Sequence, residues 1–139
     1  QLTFVGDGPL RAFLEKRDRI RVVGRVPHDQ VSSWIAASDV VCQPSLVEPF
    51  GLAILEAMAS ARTVVATRIG GPAEFVTPGS GILVNPLDVG EIARGMSEAA
   101  TFPSPNFSAR TAATFHDIKI QAKRIEKVLE RARERGKAL

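Results

Sequence analysis

Runs of consecutive apolar residues, rich in Val and Ile, recur along the first 84 positions, and stretches with helical spacing separate them. The runs are continuous rather than alternating in polarity, which is typical of strands that are covered on both faces. They are LTFV (2–5), IRVV (20–23), DVVC (39–42), TVVA (63–66) and GILV (81–84). Repeated strand-helix-strand units of this length predict an α/β fold with a right-handed, doubly wound parallel sheet.

Helical patterns fill the intervals and continue beyond the last strand. Pro9 suits the first turn of one helix, and Asp29 is placed to cap a second helix over 31–37. The later segments predict a helix over 87–100, a Pro/Ser-rich connector over 101–108 and a long closing helix over 109–135. We therefore divide the chain into a domain over residues 1–107 and a C-terminal helix over residues 108–139.

Composition and charge bound the class of protein. A chain of 139 residues, 45% hydrophobic, has the size of one ordinary domain with a real core. The net charge of +3 is too small to indicate nucleic acid binding, and its excess lies late, between Lys119 and Lys137. That basic closing helix allows weak peripheral contact with an anionic membrane, although a solvated charged face is the commoner arrangement.

The single cysteine, the length of the apolar runs and the first residues together indicate the cellular compartment. Cys42 lies in an apolar run, which predicts a buried free thiol and leaves no disulfide or cysteine-based metal set. No apolar run approaches the ~20 residues of a membrane span, and the first residues show neither Met nor a signal-peptide pattern. We expect a cytoplasmic protein that is a fragment of a longer chain.

Four loops at the predicted carboxyl ends of the strands are rich in Gly and Pro. They read VGDGP (5–9), GRVPHD (24–29), QPSLVEPFG (43–51) and TRIGGPAE (67–74). Ligands bind at this edge of a doubly wound sheet, and small residues let a backbone come close to a ligand. The alternative is that these Gly-rich loops only turn tightly, and for VGDGP taken alone this alternative is favoured.

The EPFG stretch predicts a helix start that faces this edge. Pro49 and Gly51 place the first turn near residues 50–52, so the free N–H groups of Gly51, Leu52 and Ala53 point outward at the positive end of the helix dipole. Such an arrangement is suited to a phosphate group.

Two carboxylates flank the same helix start. Glu48 precedes it, and Glu56 lies five residues after Gly51, which corresponds to about 7–8 Å along a helix axis. A carboxylate accepts two hydroxyl hydrogens at once, so a vicinal diol is a natural partner. The spacing favours one acid for a sugar, amides for a diphosphate and one acid for a ribose. The alternative is a solvated helix residue and a loop cap.

The segment ASDVVCQPSLVEPFGLAILEAMASARTVVATRIGGPAEFV (37–76) resembles the second half of the retaining glycosyltransferases with the GT-B fold. In that family a Glu, seven residues and a second Glu follow an S-D-strand-P-S run. VGDGPL and GILVNPLDVGEIARGM also match, so the resemblance covers roughly residues 2–100. It implies a Rossmann-like sheet, half of a GT-B fold, that lacks its first strand.

The resemblance also implies a nucleotide-diphospho-sugar donor, bound without a metal and without a cofactor. Glu48 takes the catalytic role, in which it orients the sugar rather than attacking it. The positions implied are Glu48, Phe50 and Gly51 for the sugar, Leu52 and Ala53 for the diphosphate, Glu56 for the ribose, and Arg25 and Val26 for the base. For His28 both base contact and solvent exposure stay open, and for Arg68 exposure is favoured over contact with the diphosphate.

Members of this family carry parts that the present sequence lacks. They begin this domain with an earlier strand and a loop bearing an Arg and a Lys, and they have an N-terminal acceptor domain. We therefore expect the fragment alone to be inactive. In a sheet of order 3-2-1-4-5-6 we expect the missing strand between LTFV and TVVA, with the gap closed by direct pairing, a second copy or the absent segment.

Two other functions remain open at this stage. One is a nucleotide-binding or interaction module without chemistry, and the other is a nucleotide-sugar epimerase of the same fold.

Overall fold

The computed structural model describes residues 1–136, in which parallel strands alternate with helices. The strands are β1 (Leu2–Val5), β2 (Ile20–Gly24), β3 (Val40–Gln43), β4 (Thr63–Thr67) and β5 (Gly81–Val84). The helices are α1 (Arg11–Leu14), α2 (His28–Ala36), α3 (Leu52–Ala59), α4 (Pro72–Phe75), α5 (Val89–Ala99), α6 (Phe107–Thr114) and α7 (Ile118–Gly136). All five predicted strands are confirmed, each to within one residue at either end.

The strands form two parallel sheets, β1-β2 and β3-β4-β5. The prediction that the missing strand would neighbour TVVA is wrong, because β4 pairs with β3 on one side and β5 on the other. Within the described residues β1 pairs with β2 alone, so direct closure of β1 onto β4 does not occur. The pairings match the order 3-2-1-4-5-6 without its first strand, which would separate β1 from β3.

The core lies on the two faces of the β3-β4-β5 sheet. Along β4, Val64 and Ala66 join a larger cluster with α3 and α6, whereas Val65 joins a smaller cluster with β5 and α5. This alternation is the two-residue period of a strand, and all five residues of β4 are buried. The prediction that the strands are covered on both faces therefore holds for this sheet. It is wrong for β1, in which Thr3, Phe4 and Val5 are exposed.

The closing segment is two helices, not the single helix predicted over 109–135. The amides of Phe115, His116 and Asp117 bond to carbonyls three residues back, which ends α6. The Asp117 side chain then accepts a hydrogen bond from the Lys119 amide at 2.8 Å, and α7 begins at Ile118. The prediction of a long C-terminal helix is confirmed by α7 itself, which has 19 residues.

Asn106 fixes the position of α6 on the core. Its Oδ1 accepts from the Ala109 amide at 3.0 Å, and its Nδ2 donates to Thr63 Oγ1 and to the Gly79 carbonyl, both at 2.9 Å. α6 therefore starts at Phe107, inside the segment predicted as a connector. The division into residues 1–107 and 108–139 stays a prediction, and residues 137–139 lie outside the described residues.

Two predictions about helix starts are wrong. Pro9 lies before α1, which begins at Arg11, rather than in its first turn. Asp29 does not cap α2. α2 starts one residue earlier, at His28, with Pro27 at the N-cap position and no side-chain cap. Asp29 lies in the first turn, where its negative charge still faces the positive end of the helix dipole. Among residues 1–136, no helix has both the length and the apolar character that crossing a bilayer requires.

Candidate functional site

Glu48 stands on the loop between β3 and α3, where two side chains hold one oxygen of its carboxylate. Gln43 Nε2 donates to Glu48 Oε2 at 2.9 Å, and Ser45 Oγ donates to the same atom at 3.3 Å. Neither bond uses Oε1. The carboxylate is half-buried and held through Oε2, and Oε1 forms no hydrogen bond among residues 1–136.

Gly51 makes the turn into α3. Its φ of +93° lies in the left-handed region, and an added Cβ would meet Pro72 at 3.0 Å and Phe75 at 3.3 Å. A side chain here is therefore disfavoured both by the backbone conformation and by packing. The predicted helix start near residues 50–52 is confirmed, since α3 begins at Leu52.

The first amides of α3 are free to receive an acceptor. No side chain caps the helix, and the N–H groups of Leu52 and Ala53 form no hydrogen bond within residues 1–136. Glu56 is exposed on the same side of the helix as Leu52 and Ala53, which lie four and three residues before it. Its carboxylate forms no ion pair or side-chain hydrogen bond in the part of the chain that the structure describes.

The loop after β4 supports the Glu48 loop from behind. The Gly71 amide donates to the Glu48 carbonyl at 3.1 Å. A Cβ on Gly70 would collide with that carbonyl, and a Cβ on Gly71 would lie 2.6 Å from the carbonyl carbon of Phe50. The close approach that we predicted for the glycines of TRIGG is therefore made to another loop of the protein, which these two glycines position.

The side chain of Phe50 is exposed, although one side of its ring faces Phe75. It lies 6.1 Å from the ring of Phe75, which in turn lies 5.4 Å from His116, each distance joining ring centroids. A groove of about 550 Å³ between α4 and α6 shares Phe75, but neither Glu48 nor Glu56 lines it.

The predicted base-contacting residues lie at the junction of β2 and α2. Arg25 is exposed and Val26 is half-buried, and no hydrogen bond or ion pair among residues 1–136 joins either to the Glu48 loop. His28 is exposed as the first residue of α2. Their roles stay predictions. Arg68 forms an ion pair with Glu91 of α5, which supports exposure over a contact with the diphosphate.

Cys42 carries a free thiol, as predicted, but its side chain is half-buried rather than fully buried. It packs beside the smaller core cluster. Burial raises the pKa of Cys42, because the low-dielectric surroundings disfavour the thiolate. Residues 1–136 contain no group of three His, Cys, Asp or Glu side chains that could hold a metal ion.

The structure brings the predicted sugar, phosphate and ribose residues together on one loop and one helix face. Sequence reasoning overlooked Gln43, and it assigned the close approach of Gly70 and Gly71 to a ligand rather than to the Glu48 loop. Gln43 carried a signal, since it is a polar residue at the end of the apolar run VVC. The contact between the two glycines and Glu48 crosses from one loop to another, and no local pattern encodes it.

The matching family and the curated relatives of this chain are all glycosyltransferases. The family described as Glycosyl transferases group 1 matches residues 1–101. The chain is 32% identical over 139 residues to a subunit of the phosphatidylinositol N-acetylglucosaminyltransferase of Homo sapiens, covering 91% of this chain and 28% of that protein. It is 38% identical over 100 residues to D-inositol 3-phosphate glycosyltransferase of Kribbella flavida, covering 71% of this chain and 24% of that protein. The chain thus spans about a quarter of the length of these curated relatives.

Solved structures confirm the fold. Sucrose-phosphate synthase of Thermosynechococcus elongatus superimposes with a TM-score of 0.76 and 27% identity, over 95% of this chain and 39% of that one. HepE of Anabaena, solved with UDP and glucose, gives a TM-score of 0.70 at 23% identity, over 92% and 39%, and at that identity it bears on the fold alone. The neighbours are GT-B glycosyltransferases, so the predicted Rossmann-like α/β fold is correct.

Proposed function

The chain belongs to the glycosyl transferases group 1 family, and from this we propose that it is the donor-binding part of a retaining glycosyltransferase. The complete enzyme would transfer a hexose from a nucleotide-diphospho-sugar to an acceptor with retention at the anomeric carbon. Because the chain spans about a quarter of its curated relatives, we propose that the acceptor half lies elsewhere and that this part alone is inactive.

One observation carries the proposal: an uncapped helix start stands between two available carboxylates. The amides of Leu52 and Ala53 present N–H donors and the positive end of a helix dipole, which favours a diphosphate. Glu48 on one side has a free Oε1 for sugar hydroxyls, and Glu56 on the other is exposed for ribose hydroxyls. The order of the groups along the chain follows the order of the groups in a sugar nucleotide.

In the proposed mechanism this part of the enzyme binds, orients and stabilises charge. As the bond between the sugar and the diphosphate breaks, negative charge develops on the leaving phosphate, and the α3 amides stabilise it. The departing phosphate assists deprotonation of the acceptor on the same face of the sugar. Glu48 holds the sugar hydroxyls and forms no covalent bond to the sugar.

The ligands bound in the solved HepE structures suggest the first compounds to test. Structures of HepE contain UDP, UDP with glucose, and UDP-glucose. We propose a nucleotide sugar as the donor here, and UDP and UDP-glucose are accordingly the first probes, with GDP- and ADP-glucose to test the base.

The proposed roles of the two carboxylates can be distinguished by substitutions in the complete protein. We expect Glu56→Ala to weaken binding of the free nucleoside diphosphate by about 1.5–3 kcal/mol, the scale of a lost hydrogen bond to a charged group. Glu48→Ala should leave that affinity unchanged and lower the rate of sugar transfer. Glu98→Ala, the same change at an exposed glutamate on α5, is the matched control.

Calorimetry and turnover decide between the candidate functions. Unchanged nucleotide affinity in Glu56→Ala would contradict the ribose assignment. Nucleotide binding by the complete protein with no transfer to any acceptor would favour a binding module. Interconversion of the nucleotide sugar without an acceptor would favour an epimerase.

A further inference from the structure

Gln43 is placed to control the carboxylate of Glu48. It is the last residue of β3, five positions before Glu48, and its Nε2 donates to Glu48 Oε2 at 2.9 Å. This bond is shorter than the 3.3 Å bond from Ser45 to the same oxygen. Hydrogen bonds to an ionised acceptor are among the stronger ones in proteins, so Gln43 is the principal anchor of that oxygen.

The orientation of the Gln43 amide is fixed by this contact. Turning the amide over would set its carbonyl oxygen against the carboxylate oxygen, where two acceptors would face each other. With Nε2 toward Glu48, Oε1 is buried and has no hydrogen-bond partner among the described residues. A residue selected for packing alone would be apolar here, like Val40, Val41 and Cys42 before it, and would leave no such atom.

Building on the proposed function, we propose that Gln43 is a positioning residue for sugar transfer. It holds Oε2 of Glu48, so that Oε1 faces the hydroxyl groups of the transferred sugar in one orientation. The unpaired Oε1 of Gln43 is tolerated because the amide is needed for its donor side. Local violations of polar pairing are expected at functional sites.

The test uses the complete protein and the substitution Gln43→Met, which keeps the length of the side chain and removes the donor. Turnover is measured with whichever of UDP-, GDP- and ADP-glucose the wild-type protein uses, and affinity is measured for the corresponding free diphosphate. We expect kcat to fall about 10- to 100-fold, the effect of one hydrogen bond to a charged group, with the affinity for the free diphosphate unchanged. Gln30→Met, at an exposed glutamine on α2, is the matched control and should match wild type.

Adding Glu48→Gln separates positioning from a structural role. If Gln43 acts through Glu48, Gln43→Met should lower turnover much less in the Glu48→Gln background than in wild type. Equal losses in both backgrounds, or a parallel loss of diphosphate affinity, would overturn the inference. Should Gln43→Met fail to fold, Gln43→Asn shortens the side chain and keeps it polar, and wild-type turnover in that variant would also overturn it.

The failure of this inference can be distinguished from that of the proposed function. If the wild-type protein turns over no nucleotide sugar, the proposed function fails and the role of Gln43 in transfer fails with it. If wild type is active and Gln43→Met matches Gln30→Met, only the inference about Gln43 is wrong.

Discussion

Substituting Gly71 by Ala tests whether the loop after β4 positions the Glu48 loop. A Cβ built on Gly71 lies 2.6 Å from the carbonyl carbon of Phe50 and nearer still to the Phe50 oxygen and Cα. These are backbone atoms, so no rotation of a side chain relieves the overlap. One of the two loops must move, and the hydrogen bond from the Gly71 amide to the Glu48 carbonyl, 3.1 Å long, is lost or stretched.

The expected cost follows from these two effects. Overpacking in a close-packed region costs about 1–3 kcal/mol, and a net hydrogen bond contributes about 1 kcal/mol. We therefore expect Gly71→Ala to lower the free energy of unfolding by about 2–4 kcal/mol, a large part of the 5–15 kcal/mol that is typical of native proteins. Because the displaced loop carries Glu48, sugar transfer should fall more than binding of the free nucleoside diphosphate.

The matched control is Gly8→Ala. An added Cβ there meets nothing within 4 Å, and Gly8 has no positive φ. Its change in stability should stay within about 0.5 kcal/mol. Urea unfolding gives the free energies, and transfer and diphosphate-affinity assays give the effect on the site. If Gly71→Ala unfolds at the same urea concentration as Gly8→Ala and transfers sugar at the same rate, the two loops do not depend on each other.

Three further predictions concern the parts around the site. Asn106→Ala should lower the free energy of unfolding by about 2–4 kcal/mol, because it removes the α6 cap and leaves Thr63 Oγ1 and the Gly79 carbonyl without their donor. Asn85→Ala, at a partly exposed turn, is the control. Similar urea midpoints for the two variants would contradict the role of Asn106. Burial raises the pKa of Cys42, so at pH 8 a thiol reagent should label it far more slowly than glutathione, and labelling as fast as glutathione would contradict the burial argument. Because α7 is basic, the protein should co-sediment weakly with phosphatidylserine vesicles at low salt and not with phosphatidylcholine vesicles. The absence of binding to phosphatidylserine vesicles at low salt would exclude membrane contact through this helix.

The sequence was most informative where one local pattern determines the outcome. Continuous apolar runs identified all five strands, and Pro49 with Gly51 identified the start of α3, because strand burial and helix initiation depend on neighbouring residues. The break between α6 and α7 was missed, although Asp117 before Ile118 is a capping signal, because no Gly or Pro interrupts residues 107–135.

Features that depend on distant residues could not be predicted. Asn106 reaches Thr63 and Gly79, which are 43 and 27 positions away, and Gly71 reaches Glu48 across a whole strand-helix unit. The neighbour of the missing strand was assigned incorrectly for a different reason. All of β4 is buried between β3 and β5, so TVVA cannot be the edge at which a strand is absent.

The division into two sheets has a consequence for hydrogen exchange. The buried apolar residues among 1–136 all lie between Ile35 and Ala113, and none belongs to β1, α1 or β2. A two-stranded sheet without buried apolar side chains opens at a small free-energy cost, so its amides should exchange through local opening, whereas those of β4 should exchange only on global unfolding. Arg25 and Val26, the residues predicted to contact the base, directly follow β2 of the easily opened sheet. Glu48 and Glu56 belong to the part of the chain around the β3-β4-β5 sheet. Binding of a nucleotide across both would therefore appear mainly as slowed exchange in β2.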